Sequence, residues 1–183
     1  MVRWIRPEVD KWKLNTDGSF ISFIGKSEIG GVARTGNGQM VMDFASPIHL
    51  HTNNYSKAHA ALQGTLWCCN QYCHNFTLEL DSLLIANMIL GLYNIPWKLQ
   101  EIIKKIQKKV ELHGIIVQHC YREGNTVVDS LAKYATNITN NEVFLQEYDL
   151  PQEFKGPIRK ERLHMPSFRF KPKKHLNWIF KFP

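Results

Sequence analysis

The sequence lacks any long apolar run. No stretch approaches the roughly 18 apolar residues that a membrane-spanning helix requires. The first fifteen residues, MVRWIRPEVDKWKLN, are rich in charge and contain no apolar segment typical of a secretory signal. We therefore expect no membrane association and an intracellular protein, either nuclear or cytoplasmic.

Cysteine is scarce, with four residues in 183. Cys68, Cys69 and Cys73 fall in one predicted helix, whereas bridging cysteines in small proteins are usually spread over loops. Cys69, Cys73 and His74 are close in sequence, but no second ligand pair follows at a zinc-site spacing. This pattern favours reduced thiols packed in a core over a disulfide framework or a zinc site.

Acidic residues are almost missing from the C-terminal part of the chain. Residues 155–183 contain nine Lys or Arg and one acid, Glu161, for a net charge of +8, whereas residues 1–154 have a net charge of −1. Aromatic residues alternate with the cations, an arrangement that suits phosphate pairing and base stacking. The alternative is a solvated terminus whose aromatic side chains dock on the domain. The cations predicted to contact nucleic acid are Arg169, Lys171, Lys173 and Lys174.

The apolar patterning predicts an α/β domain. Alternation predicts three strands before residue 46, and two short apolar runs predict two more strands at 76–80 and 115–120. We expect a turn at Asp17-Gly18, because this dipeptide is a strong turn signal. Helical spacing predicts helices at 55–72, 82–91, 97–112 and 125–135.

The order of these elements, βββαβααβα, predicts a mixed five-stranded sheet flanked by helices, with three antiparallel strands followed by two parallel ones. From residue 136 onward the chain is rich in Asn, Pro and basic residues. We therefore place the domain at residues 1–140 and a basic, aromatic C-terminal extension at residues 141–183.

Carboxylates follow the predicted elements in a pattern that suits metal-dependent phosphodiester hydrolysis. Two divalent cations need several oxygen ligands around the scissile phosphate. Asp17 and Asp81 lie at predicted strand ends, Asp129 lies on a predicted helix, and His119 could transfer a proton at neutral pH. Taken singly, Asp17 could be a turn residue and Asp81 a helix cap. Together, these residues favour a nuclease-like centre.

Several motifs carry a family resemblance: WKLNTDGS, IGGVARTGNGQ, TNN before a long helix, LELDSLL, PWKLQEII and HCYREGNTVVDSLAKYA. Through them nearly the whole chain resembles the plant reverse-transcriptase-like RNase H domains related to non-LTR retroelements. The segment GPIRKERLHMPSFRF is also similar to the C-terminal extension of that family. The resemblance implies an RNase H-like fold, Mg²⁺ or Mn²⁺ as cofactor if the domain is active, and an RNA/DNA hybrid or RNA as partner.

The resemblance also implies residue roles. It puts Asp17, Asp81 and Asp129 at metal-ligand positions, His119 at a product-release or proton-transfer position, and Asn53 at a nucleic-acid contact. Further predicted nucleic-acid contacts are Ser19, Thr52, Asn54, Lys104, Lys105 and Lys108. A lysine stripe such as 104–108 is more often simply the solvent-facing side of an amphipathic helix.

The sequence departs from the family at Lys57, where the pattern TNN-x-A-E places the glutamate that bridges the metals. Exchanging −1 for +1 changes each local charge interaction by two units, and one unit pair at 4 Å is worth about 4 kcal/mol at an effective dielectric constant of 20. We therefore expect a large loss of metal affinity. Our hypothesis is that the Lys57 ammonium takes a metal's place, pairs with Asp17 and Asp81, and lets the domain fold without metal.

A second departure follows Asp17, where the family has a glycine-rich loop and this chain reads SFISFIG. Bulky apolar residues cannot reproduce the close backbone approach of glycine, so the contacts that sense a 2′-hydroxyl would be lost. The sequence therefore predicts a monomeric, nucleic-acid-binding RNase H-like domain with lost or impaired nuclease activity. One alternative is an active hybrid ribonuclease in which Glu79 or Glu28 supplies the missing ligand. Another is a protein-interaction scaffold.

Overall fold

The computed structural model describes residues 1–23, 25–49 and 52–166. The four tail cations predicted to contact nucleic acid, Arg169, Lys171, Lys173 and Lys174, lie outside the described residues. Within the described ranges, no helix is both long and apolar enough to cross a membrane.

A six-stranded sheet forms the centre of the described structure, with the spatial order β5-β4-β1-β2-β3-β6. The strands are β1 Trp12–Ile21, β2 Lys26–Thr35, β3 Met40–Ile48, β4 Thr77–Leu80, β5 Ile116–His119 and β6 Glu142–Phe144. Strands β1, β2 and β3 form an antiparallel meander, and β4 and β5 continue the sheet in parallel with β1. The predicted mixed α/β fold is confirmed. The sheet differs from the prediction by a sixth, short strand, β6, which pairs antiparallel with β3.

Helices cover both faces of the sheet. They are α1 Asn53–Asn70, α2 Leu83–Ile89, α3 Gln100–His113, α4 Thr126–Ala135 and α5 Gln152–Arg162, with short 3-10 turns at Trp97–Leu99 and Arg122–Gly124. One apolar core lies between the sheet and helices α1 to α3, and it includes Leu14, Leu78 and Ile103. A second apolar cluster joins α4, α5 and β6 through Leu131, Phe144 and other residues.

Strand β1 does not end where the sequence suggested. The expected turn at Asp17-Gly18 is wrong, because Asp17 pairs with Gly30 and Gly18 pairs with Ile29 in the interior of the β1–β2 ladder. The chain turns later, near Gly25, whose φ is +65°. Asp17 therefore lies within a strand that is hydrogen-bonded on both sides, and the sheet fixes its position.

The chain beyond residue 140 adds structure to the domain as far as residue 166. Strand β6 extends the sheet edge, and α5 packs on α4 with Phe154 and Ile158 buried. Helix α5 continues through Pro157. The described part of the predicted extension is therefore packed against the sheet and α4.

A buried polar network ties α5 and the N-terminal segment to the sheet. Arg34 on β2 is paired with Glu161 of α5, and its Nη2 donates to Oδ1 of Asn15 at 2.7 Å. The Trp4 indole donates to the same Asn15 oxygen at 3.0 Å, and the Arg34 guanidinium carbon lies 3.7 Å from the Trp4 ring centroid. Both ends of the described chain therefore meet at one arginine in the interior.

The cysteines carry free thiols. Cys68 and Cys69 on α1 are buried, and Cys73 and Cys120 are partly buried. Burial raises the pKa of Cys73 to about 11, with the neighbouring Cys69 adding to the effect. The expectation of reduced, packed thiols agrees with this arrangement.

Candidate functional site

The start of α1 lies directly against β1. A Cβ atom built at Gly18 would be 2.6 Å from the carbonyl carbon and oxygen of Ser56 and 2.9 Å from the backbone nitrogen of Lys57. Only glycine permits so close an approach of the two backbones. Thr52 caps the helix, because its side-chain oxygen accepts a hydrogen bond from the Tyr55 amide at 3.2 Å. The first turns of α1 are therefore fixed beside Asp17.

The Lys57 ammonium lies between two carboxylates. Its Nζ donates to Oδ1 of Asp81 at 2.7 Å and also to Oδ1 of Asp17. Asp81 directly follows β4, the parallel neighbour of β1, so the sheet holds both acids at one place. The side chains of Asp17 and Asp81 are buried, and that of Lys57 is 20% exposed. This is the geometry that the counter-ion hypothesis requires.

The charges in this triad act on one another. Burial raises the pKa of Asp17, and the adjacent Lys57 ammonium opposes that rise. Burial by itself would lower the pKa of Lys57, but the charges and hydrogen bonds of Asp17 and Asp81 together outweigh it and raise the pKa. Lys57 is therefore a cation at neutral pH.

Asp129 lies on α4, whose start contacts the middle of β1 next to Asp17. Asn125, at the start of α4, donates from Nδ2 to the backbone oxygen of Thr16 at 3.3 Å. Asp129 accepts from Arg122 Nη2 at 2.8 Å and from Lys133 Nζ at 2.5 Å. Burial would raise the pKa of Asp129, but the hydrogen bonds from Lys133 and Arg122 lower it. Both oxygens of this carboxylate thus have a cationic partner.

Arg122 and Lys133 were not among the residues that sequence reasoning selected. Lys133 follows Asp129 by four residues on a helix, a spacing that brings opposite charges together. This signal could have identified Lys133. Arg122 lies in the 3-10 turn after β5, and only the path of that turn brings it to Asp129.

The arrangement does not fit a pair of divalent metal ions. A metal between Asp17 and Asp81 would need the space that the Lys57 ammonium occupies, and Asp129 is already paired through both oxygens. Divalent cations of this type need several oxygen ligands with no cation among them. In the part of the chain that the structure describes, no group of three or more His, Cys, Asp or Glu residues could hold a metal.

Glu79 does not supply the ligand that Lys57 replaces. It is buried on β4, where it accepts from Lys13 Nζ at 2.9 Å and from Asn15 Nδ2 at 2.8 Å. Its two oxygens are therefore used by neighbours on β1, away from the ammonium of Lys57.

Glu28 is engaged in the same way. This buried residue on β2 accepts from Ser19 Oγ at 2.8 Å and, through its other oxygen, from Thr136 Oγ1. Ser19, a predicted nucleic-acid contact, thus uses its hydroxyl within the domain. The geometry does not favour the alternative in which Glu28 or Glu79 acts as a compensating ligand.

The remaining predicted site residues lie on elements that neighbour the Lys57 triad. His119 ends β5 and is exposed, with its ring edge-to-face with Tyr121 at a centroid distance of 5.9 Å. Asn53 Oδ1 accepts from the Phe20 amide at 2.6 Å, which joins the start of α1 to the end of β1. Asn54 is exposed on the first turn of α1. Asn53, Asn54 and His119 are all exposed.

Three predicted phosphate contacts lie on the exposed face of α3. They are Lys104, Lys105 and Lys108. Lys105 donates to Glu101 one turn earlier at 2.6 Å, while Ile103 and Ile106 face the core. These lysines thus form the solvent-facing side of an amphipathic helix, where their positive charges are exposed.

Solved structures with the same architecture identify the class of fold. RNase H1 from the halophilic archaeon Halobacterium salinarum NRC-1 has a TM-score of 0.65 at 20% identity, over 69% of this chain and 98% of that chain. LC11-RNase H1, isolated from compost and solved in complex with RNA/DNA hybrid, has a TM-score of 0.64 at 22% identity, over 69% and 97%. The foamy viral protease-reverse transcriptase in complex with RNA/DNA hybrid has a TM-score of 0.61 at 21% identity, over 74% and 21%. These likenesses show an RNase H-like fold.

The family follows from the sequence itself. The family model for reverse transcriptase-like proteins matches residues 15–135, which include Asp17, Lys57, Asp81 and Asp129. The chain belongs to the reverse transcriptase-like family. A search of curated proteins finds no match.

Proposed function

We propose that this domain binds nucleic acid, either an RNA/DNA hybrid or RNA, and that its nuclease activity is lost or impaired. The observation that carries the proposal is the Lys57 ammonium between Asp17 and Asp81. Two similar proteins, LC11-RNase H1 and the foamy viral enzyme, were solved in complex with RNA/DNA hybrid, which supports the ligand class.

A metal ion would compete with the Lys57 ammonium for the place between Asp17 and Asp81. A metal ion would have to displace Lys57 from two charge-assisted hydrogen bonds, which are among the stronger contacts in proteins. It would then remain beside the displaced cation, and one unit charge pair at 4 Å is worth about 4 kcal/mol at an effective dielectric constant of 20. Lys57 therefore acts as an internal counter-ion that holds the carboxylates together without Mg²⁺ or Mn²⁺.

The same proposal covers the finer assignments. Asp17, Asp81 and Asp129 occupy inherited metal-ligand positions, and His119 an inherited proton-transfer position. The exposed lysines of α3 and the cations of the tail, Arg169 to Lys174, contact phosphates. We place the origin of the domain among plant non-LTR retroelements, and we propose an intracellular monomer, nuclear or cytoplasmic.

Cleavage of a labelled RNA/DNA hybrid tests the catalytic part. The wild type, Lys57→Glu and Lys57→Glu/Asp81→Asn would be compared with Mg²⁺ and with Mn²⁺. We expect a silent wild type, an active Lys57→Glu variant and a silent double variant. Robust metal-dependent cleavage by the wild type would overturn the proposal. Silence of both wild type and Lys57→Glu would assign the defect to the apolar segment 20–24 as well.

Binding is tested separately from cleavage. The fluorescence anisotropy of a labelled hybrid would be followed over a salt series, with EDTA present to remove metal. Phosphate-driven binding weakens log-linearly as salt rises, whereas a protein-interaction scaffold shows no such affinity for the hybrid. Calorimetry with Mg²⁺ is the complementary test, since micromolar metal binding by the wild type would contradict the counter-ion role.

A further inference from the structure

A second cluster of opposite charges lies beside the Lys57 triad. Asp129 is held between Arg122 and Lys133, at 2.8 Å and 2.5 Å. The side chains of both cations are 68% exposed, whereas that of Asp129 is 21% exposed. The positive groups therefore face the solvent, and the carboxylate lies behind them.

The three acids Asp17, Asp81 and Asp129 are matched by three cations of the protein. Lys57 pairs with Asp17 and Asp81, and Arg122 and Lys133 pair with Asp129. In a two-metal nuclease the dications offset the carboxylates and attract the phosphate. Here the side chains of the chain itself provide that offset. A phosphate can thus approach these three acids without meeting an unpaired carboxylate among them.

Arg122 interacts with the acids of the Lys57 triad as well as with Asp129. The hydrogen bond and charge of Asp129, followed by the more distant charges of Asp17 and Asp81, raise the pKa of Arg122. Only Nη2 is used in the contact with Asp129. A guanidinium carries five N–H donors in a planar fork that matches two phosphate oxygens. With most of its side chain exposed, Arg122 is suited to receive a phosphate.

We propose that Arg122 and Lys133 bind a backbone phosphate of the nucleic acid without metal, and that Asp129 is the internal anion which the phosphate replaces. The inference rests on the proposed nucleic-acid binding and assigns part of it to these residues. Asp129 then acts as a competitor of the ligand. A metal ligand would have the opposite effect, because its loss would weaken metal-dependent binding.

The sign of the effect at Asp129 gives a sharp test. Asp129→Asn keeps the shape of the side chain and removes the competing charge. We expect the affinity for a labelled RNA/DNA hybrid in EDTA to rise roughly two- to fivefold, the range of an exposed ion pair. We expect Arg122→Gln to weaken binding and to reduce the slope of log affinity against log salt by about one. In Arg122→Gln/Asp129→Asn, most of the gain should disappear.

Matched controls separate this local effect from the change in net charge. Glu8 and Lys11 form another ion pair, at 3.8 Å, just before β1 and outside the ion pairs of Asp17, Asp81 and Asp129. Glu8→Gln and Lys11→Gln alter the net charge as Asp129→Asn and Arg122→Gln do. We expect smaller changes in affinity from these two controls. Lys133→Gln provides a second variant within the cluster, with a loss of affinity expected.

The outcomes distinguish the two proposals. If the full-length wild type binds hybrid in EDTA while Arg122→Gln and Asp129→Asn bind equally well, the phosphate pair is wrong and nucleic-acid binding stands. If Asp129→Asn weakens binding and does so only with Mg²⁺, Asp129 is a metal ligand and the inference is overturned. If the wild type does not bind hybrid or RNA at low salt, both proposals fail.

Discussion

Gly18 and Ser56 meet backbone to backbone, since a Cβ at Gly18 would lie 2.6 Å from the Ser56 carbonyl carbon. This contact sets the distance between β1 and the helix that carries Lys57. The charge triad therefore requires glycine at position 18, whether or not the domain is catalytic.

Replacing Gly18 by alanine should displace the start of α1. The added methyl group meets backbone atoms, which cannot rotate away, so we expect Gly18→Ala to destabilise the domain by about 2 kcal/mol, a typical cost of overpacking. Urea unfolding followed by circular dichroism measures this. Gly124→Ala is the matched control, because its new Cβ would have its nearest contact at an ordinary 3.4 Å, with Val2. Equal stability of the two variants would contradict the packing argument.

Lys57→Met should remove the cation and leave two buried carboxylates uncompensated. We expect a loss of about 3 kcal/mol in the free energy of unfolding at neutral pH, the lower end for breaking a buried ion pair. Lys57→Met/Asp81→Asn should recover part of the loss, because one of the two carboxylates is then neutral. Wild-type stability of Lys57→Met in a urea titration would show that the ammonium does not stabilise the acidic cluster.

The ion pairs of Asp129 should make stability depend on acid pH. The folded-state pKa of Asp129 is lowered by Lys133 and Arg122. The stabilisation is therefore present above the unfolded pKa of about 3.9 and is lost as pH falls through the folded pKa. We expect the stability difference between wild type and Asp129→Asn to be constant from pH 5 to 7 and to shrink below about pH 4. A difference that grows as pH falls would refute this sign.

Glu161→Gln should weaken the attachment of α5. Glu161 is the ion-pair partner of Arg34, whose side chain is almost completely buried. Neutralising Glu161 therefore leaves the positive charge of Arg34 in the interior without this partner. We expect a loss of about 3 kcal/mol in unfolding free energy. Glu153→Gln, an exposed change on the same helix, should stay within about 0.5 kcal/mol of wild type. Similar losses in both variants would indicate a general effect of charge on α5.

The sequence was sufficient for the elements whose periodic patterns are long. Helix α1 lies at Asn53–Asn70, close to the predicted 55–72, and the three strands predicted before residue 46 are present, although β1 continues beyond the predicted turn. Strand β6 has only three residues, too few for alternation to be recognised. Helix α5 was not predicted because it contains Gly156 and Pro157, which are typical of loops. The dipeptide Asp17-Gly18 was predicted to form a turn because Asp-Gly is common in turns. The glycine is needed instead for its close packing on Ser56, which local sequence does not reveal.

The candidate site was predictable only in part. The pairing of Lys57 with Asp17 and Asp81 could be expected once position 57 was aligned with a family motif, and the contacts agree with that expectation. The pairing of Arg122 with Asp129 could not be expected, because it depends on the path of a 3-10 turn after β5. Tertiary contacts, and not residue type, decide which cations face a carboxylate.

The buried link between Glu161 and Arg34 also has a mechanical consequence. A pulling force on the chain after residue 166 would be transmitted through α5 to Arg34, and from there to Asn15 near the middle of β1. Asn15 is two residues before Asp17 on the same strand. Tension exerted by anything that holds the tail would thus act on the strand that carries the candidate site as well as on β6, the edge strand that precedes α5 in the chain.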